Sequence, residues 1–293
     1  MSRVYYVDTA IPADRKRRGK QKTHAVFDGE RIFKVRRLTE LEDAAEIYVD
    51  VLFPELYEEV LELLRGRTKV YLLRDLLNLK KLRMENNLRK SDENDAMLLA
   101  RIPKEEFRRL TVEEMRRRIE LDVLINRYER LTRRIKILKQ WIKNNGQDYG
   151  LRNVIGLMTR DKEDVARQII NMVSSNTIYR EACRVLGVSN SVELAILVAK
   201  LPLHLPLVRL KGLLGFTPNK NEGRYYHKLR GHVTALAVCL YINARKHVSV
   251  SEEVTGIANR LPKEKAIYRL GLMILKTLRR AYFMTKVDSL AGG

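Results

Sequence analysis

Asp92 and Asp95, in the run KSDENDA at residues 90–96, are the side chains best spaced for chemistry. On a helix their separation puts both carboxylates on one face of the first turn. Carboxylates converging on one place are what a hard divalent cation such as Mg²⁺ requires. The same run also reads as a plain capped helix start, with Ser91 or Asp92 as N-cap and acids near the positive end of the helix dipole. Two further aspartates, Asp8 and Asp50, lie on apolar strand-like runs and add weight to the metal reading.

These acids need elements to position them. Residues 4–8 read as a short buried strand ending on Asp8. Residues 23–27 and 31–35 flank Asp28-Gly29, a strong hairpin signal. Residues 39–45 suit a short helix, and 46–52 (EIYVDVL) a further strand containing Asp50. Helix periodicity over 54–64 starts on a proline and is followed by Gly66. Residues 69–73 read as a strand and 76–87 as a basic helix, followed by the helix that Ser91 opens. Three early strands with a hairpin, then strand, helix, strand, helix, is the order of an RNase H/RuvC-type domain. In that order Asp8 and Asp50 face each other from neighbouring strands, Asp92 and Asp95 approach from a helix, and the four carboxylates converge on a metal pair. Such a pair activates the attacking oxygen and stabilises the leaving oxygen in phosphoryl transfer.

From residue 112 to 145 apolar residues recur at three- and four-residue steps among Arg, Lys and Glu. This is a long amphipathic helix or helical hairpin arm, either an oligomerisation coil or a helix packed within one chain. The remainder is helical by period, with segments at 161–174, 192–200, 233–244 and 266–285. The expected fold class is α/β plus α: an RNase H/RuvC-like domain at 1–108, a coiled-coil arm at 109–147 and an all-helical domain at 148–293.

Composition points to the partner. Among 293 residues, 57 Lys+Arg stand against 36 Asp+Glu, for a formal net charge of +21. Such an excess is self-repelling unless a polyanion offsets it. Nucleic acid is the expected partner, ahead of an anionic membrane surface. The loop at 12–22 carries Arg15, Lys16, Arg17, Arg18, Lys20 and Lys22, and is a candidate phosphate contact together with Lys90. A basic-aromatic stretch at 219–232 adds Arg224, Tyr225, Tyr226, Lys228 and Arg230, a mixture that suits backbone phosphates and stacked bases. Cys183 and Cys239 lie in apolar helical sequence and read as small buried hydrophobes. No apolar run is long enough to span a bilayer and no secretory leader is read, so a cytoplasmic, nucleoid-associated protein with no membrane partner is expected.

With these residues in view, the chain resembles the DEDD transposases of the IS-one-ten insertion-sequence family, also described as bridge-RNA-guided recombinases. Asp8 ends the first strand. Asp50 is followed by Phe53, Tyr57 and Gly66 at spacings near the family's Glu–Gly–Tyr block. KSDENDA matches its K-T-D-x-x-D-A block. LKGLLGFTP followed by KLRGH resembles its G-L-x-P and K-R-G-N blocks, with a helix-hairpin-helix echo at 185–188. The resemblance implies a RuvC-like domain, a coiled-coil linker and a helical domain bearing a catalytic serine. It implies a homodimer or homotetramer on DNA and a structured guide RNA, with Asp8, Asp50, Asp92 and Asp95 as catalytic ligands of Mg²⁺ or Mn²⁺. Two departures stand out. The second acid is Asp50 where the family has Glu, and between Pro218 and Arg230 there is no serine; Glu222-Gly223 stands where Ser-Gly is expected. Nearby hydroxyls are those of Thr217, Tyr225, Tyr226 and Thr234. The expected function is therefore an RNA-guided DNA recombinase or transposase. The alternatives are a domesticated DNA- or RNA-binding structural protein that lost the serine, and a metal-dependent nuclease that uses water.

Overall fold

The computed structural model describes residues 3–10, 23–217 and 226–291. The chain divides into two compact units, residues 1–123 and 124–293. The first is α/β and the second is helical among its described residues.

In the first unit, strands β1 (Arg3–Asp8), β2 (His24–Phe27), β3 (Ile32–Val35), β4 (Ala44–Val49), β5 (Lys69–Leu73) and β6 (Phe107–Arg109) form one mixed sheet. Their order is β3-β2-β1-β4-β5-β6. β1, β2 and β3 pair antiparallel, whereas β1–β4 and β4–β5 are parallel and β6 returns antiparallel on β5. The β2–β3 hairpin closes on Asp28, whose Oδ1 accepts from the N–H groups of Glu30 and Arg31 at 3.0 and 2.9 Å. Gly29 takes φ +100°, which a side chain would resist.

The twofold side-chain alternation of a strand decides what each face holds. Tyr5, Val7, Ile47, Val49 and Val70 point to one face. There they meet Val60, Leu61 and Leu63 of α1 (Tyr57–Arg65) and Met115 at the start of α4 (Val112–Asn145). Val4, Tyr6, Tyr48 and Tyr71 point to the other face. It is covered by Leu79 of α2 (Leu76–Glu85) and by Leu98 and Leu99 of α3 (Asp92–Leu99). In-register pairing lines up Tyr6, Tyr48 and Tyr71 as a stacked ladder, with ring centroids 5.2 and 4.7 Å apart. Each stack is worth about 0.5–1.5 kcal/mol beyond area burial.

In the second unit the later part of α4 turns at Gly146 and is accompanied by α5 (Leu151–Val173). The Trp141 and Tyr149 rings meet edge-on, Arg127 pairs with Asp161 at 2.6 Å, and Lys162 lies over the Tyr128 ring. Then come α6 (Thr177–Leu186), α7 (Val192–Lys200), α8 (Leu207–Leu213), α9 (His227–Arg245), α10 (Glu252–Arg260) and α11 (Lys263–Ala291). Leu270, Ile274, Leu275 and Leu278 of α11, at helical spacing, are fully buried, as are Val233, Ala237 and Leu240 of α9. No helix among the described residues is long and apolar enough to cross a membrane.

Several expectations need correction. The strand expected over 46–52 is Ala44–Val49, so Asp50 sits just beyond its end. The helix expected over 39–45 is a single 3₁₀ turn, Leu38–Glu40, because β4 begins at Ala44 to pair with β1. The segment expected over 161–174 starts ten residues earlier, since Gly150 at φ +77° marks the true helix entry. The cysteines are less buried than expected: Cys183 is partly buried and Cys239 exposed, because the apolar stripe of α9 runs through Leu236 and Leu240 and passes Cys239 by.

Candidate carboxylate centre

Strand alternation and one helix cap account for the assembly. Asp8 shares the parity of Val4 and Tyr6 along β1, and Asp50 follows β4 with the parity of Tyr48. Both carboxylates therefore fall on the face that α3 covers. Val7 and Val49 are in register, and the Asp50 N–H reaches the Val7 carbonyl at 3.4 Å. The centre sits two residues beyond the tyrosine ladder.

Helix α3 begins where its cap requires. The Ser91 Oγ accepts from the Asn94 N–H at 3.1 Å, which makes Ser91 the N-cap and places Asp92 and Asp95 at the first and fourth helical positions. Lys34 of β3 pairs with Glu93 at 2.6 Å and ties the helix start to the sheet. Asp95 is 4% exposed, whereas Asp92 faces solvent.

The four aspartates share one electrostatic neighbourhood. Burial first, then the charge of Asp50 and a hydrogen bond with it, then the charges of Asp95 and Asp92, push the Asp8 carboxyl up to about 9. The Asp8–Asp50 pair shares a proton at neutral pH, and burial also raises Asp50. The Thr9 N–H donates to Asp50 Oδ1 at 2.9 Å, and the Thr9 hydroxyl stands 2.9 Å from the same oxygen and 2.7 Å from the Val51 carbonyl. Asp95 is also raised, by burial first; Arg83 and Lys90 oppose this, and Asp50 and Asp92 add to it. The buried Oδ1 of Asp95 accepts no hydrogen bond.

An all-oxygen donor set, mutual repulsion and an unsatisfied buried carboxylate oxygen fit a hard divalent cation. As the side chains stand, no three His, Cys, Asp or Glu among the described residues form a closed ligand group. Asp8 is turned to Asp50, and Asp95 lies against Arg83.

One consequence is testable without any substrate. Asp8 titrates near 4 when unfolded and about 9 when folded. The folded state thus holds a proton that the unfolded state has lost, and stability falls as pH rises through that window. Asp8→Asn is expected to raise the melting temperature of the chelator-treated protein at pH 8 by about 3–6 °C. The gain should vanish near pH 4. Melts showing no gain at pH 8 would contradict the shared-proton arrangement.

Two features escaped sequence reading. His24, 1% exposed in β2, accepts the Ala10 N–H on Nδ1 at 3.0 Å and so fixes the chain two residues past Asp8. In the helical unit, His232 of α9 lies between Glu193 of α7 and Glu129 of α4, the latter 3.3 Å from Nε2. Glu129 also pairs with Lys228 at 2.7 Å, and the Tyr128 hydroxyl donates to Glu193 at 2.9 Å. Burial disfavours the His232 charge, but its two glutamates outweigh burial and push the imidazole up to about 9. A raised histidine contributes fully below its unfolded value and loses that contribution as pH rises through about 9. His232→Gln is expected to cost about 2–3 kcal/mol at pH 6, with the gap narrowing towards pH 10. A pH-independent gap in denaturant melts would count against a charged histidine. Only the KLRGH run hinted at this residue; its partners are 39 and 103 positions away.

The nucleic-acid candidates fall in two groups. Arg15, Lys16, Arg17, Arg18, Lys20, Lys22, Arg224 and Tyr225 lie outside the described residues. Lys90 is exposed immediately before the α3 cap. Tyr226 is 53% exposed, and its N–H donates to the Leu213 carbonyl at 2.8 Å. Lys228 is engaged with Glu129. Arg230 donates to the Gly215 carbonyl at 3.2 Å and lies over the Phe216 ring, so it braces the turn after α8.

No family model and no curated protein sequence matches this chain. The functional reading therefore rests on the geometry above.

Proposed function

We propose that this chain is a DEDD-type DNA recombinase or transposase with an RNase H/RuvC-like first unit. The observation that carries this reading is the placement of Asp8 at the end of β1 and Asp50 just past the end of the adjoining parallel strand β4, on the sheet face covered by a helix whose first turn supplies Asp92 and Asp95. The strand order, with an antiparallel hairpin on one side of β1 and parallel β4 and β5 on the other, supports it.

In this reading the four aspartates hold Mg²⁺ or Mn²⁺. Metal bound there would polarise the scissile phosphate and activate the attacking oxygen. The chain's own part is positional. Thr9 fixes one oxygen of Asp50, the Ser91 cap aims the first turn of α3, and Asp8 would release to solvent the proton it holds against Asp50 to make room for a cation. Basic side chains, with Lys90 beside the centre, hold the strand. The net charge of +21 supports DNA and a structured RNA as partners and a nucleoid-associated location. Exposed Ile137, Trp141, Val154 and Leu157 on α4 and α5 support self-association through the arm. A second reading, a non-catalytic nucleic-acid-binding protein, is favoured by the absence of serine between Pro218 and Arg230.

The deciding experiment incubates the protein with Mg²⁺ and a branched or donor–target DNA pair and looks for a covalent protein–DNA adduct. An adduct on Tyr225 or Tyr226 supports strand transfer. Nicking without an adduct supports a water-using nuclease. Binding with neither supports the non-catalytic protein. Affinity for DNA or RNA is expected to fall about 10³-fold or more between 50 and 200 mM salt, through counterion release. A flat salt response in a filter-binding titration would remove nucleic acid as the partner.

A further inference from the structure

The carboxylate centre contains a cation of its own. Arg83 lies in the last turn of α2, with its side chain only 19% exposed, and its Nε stands 3.1 Å from Oδ1 of Asp95, whose side chain is 6% exposed. The contact is electrostatic: the N–H is not aligned on the oxygen, and neither atom makes a hydrogen bond. A guanidinium remains charged at any relevant pH. Held close to a buried acid without a directed hydrogen bond, it supplies charge at limited geometric cost to exchange. Lys90, which also acts on Asp95, sits at the exposed entrance to α3. Asp8 and Asp50 face each other, and the Thr9 N–H donates to Asp50; no ion pair to either is found among the described residues.

We propose that Arg83 is the resident counter-ion of the centre: it occupies the place on Asp95 that a divalent cation takes, and metal binding releases it to a phosphate of the bound strand. The inference rests on the metal-binding reading and adds to it a positioning residue that couples metal to nucleic acid. Before metal arrives, the guanidinium offsets the charge of Asp95 and keeps α2 against α3. A divalent ion on Asp95 removes that attraction and repels the guanidinium. Its planar set of donors then suits a phosphate, which it can hold through two parallel hydrogen bonds. Because coupling between two ligands is reciprocal, the bound strand must tighten metal binding by the same factor by which metal tightens the strand.

The test uses the full chain and Mn²⁺ alone, with free Mn²⁺ read by electron paramagnetic resonance. Arg83→Gln is expected to bind Mn²⁺ about tenfold more tightly than the wild type. Arg83→Lys, which keeps the charge but loses the planar fork, should fall between them and guards against misfolding of the glutamine variant. Fluorescence anisotropy of a labelled single-stranded oligonucleotide gives the second readout. Mn²⁺ is expected to tighten its binding several-fold in the wild type and clearly less in Arg83→Gln, where only the metal itself meets the strand. Equal Mn²⁺ affinity in wild type and both variants overturns the assignment of Arg83 while leaving the metal centre intact. Mn²⁺ bound by none of the three proteins overturns the metal reading and this inference with it.

Discussion

Under the proposed function, replacing Asp92 by asparagine is expected to abolish metal-dependent DNA cleavage, by about 10³-fold or more, while nucleic-acid affinity stays within about twofold. A metal's stabilisation of transition-state charge amounts to several kcal/mol, and about 4 kcal/mol corresponds to a thousandfold in rate. Asp92 suits the test because its side chain faces solvent at the first position of α3 and carries none of the core. The Ser91 cap and the Leu98–Leu99 contact with the sheet remain. Glu93→Gln is the control: it alters a neighbouring acid that pairs with Lys34 and should leave cleavage within a few-fold. Parallel loss of binding and cleavage in Asp92→Asn would mean that the residue holds the strand or the fold, and the centre would lose its catalytic meaning.

A loss of comparable size, in stability, is expected at Gly187. This residue ends α6 at φ +69°, and a Cβ there would stand 2.4 Å from the Ser251 nitrogen and 2.6 Å from the Val250 carbonyl carbon. These are backbone atoms and cannot rotate away. The Ser251 N–H also donates to the Leu186 carbonyl at 3.2 Å, and the Ser251 Oγ caps α10 by accepting from Val254. Gly187→Ala must therefore push the start of α10 off the end of α6. It is expected to cost about 3–5 kcal/mol, lowering the melting temperature of the helical unit by about 6–15 °C. Gly150→Ala separates the two components of that penalty. Gly150 has φ +77° but nothing within 4 Å of its would-be Cβ, so only the backbone cost of about 1 kcal/mol applies. Equal melting shifts for the two variants would show that the close approach at Gly187 is relaxed in solution.

Much of the fold is legible because its signals are local. Residues 69–73, 112–145 and 192–200 emerge with the bounds their periodicity predicts. Asp28-Gly29 makes the expected hairpin, through the backbone bonds that an aspartate at that position offers. The Ser91 cap was one of two options, and the Asn94 N–H decides between them. What sequence could not supply was pairing between distant segments. Nothing near Asp95 announces Arg83, because their meeting depends on how α2 packs against α3. His232 and its two glutamates are hidden for the same reason. Strand β6 has no sequence signature, because three residues, Phe107–Arg109, are too short for a period and are held by pairing with β5. The end of helix α6 is not legible locally, because the need for glycine at 187 comes from Ser251, more than sixty residues on.

The carboxylate centre draws on residues 8 to 95, and its geometry is set by β4 lying in register beside β1 and by α3 docking over β1 and β2. A nascent polypeptide lacking α3 has half the acidic groups and no roof over the others. The four carboxylates are therefore together only once α3 has docked on the sheet. Under the proposed function, chains that end before α3 would cut no DNA, a safeguard that follows from topology and needs no inhibitor.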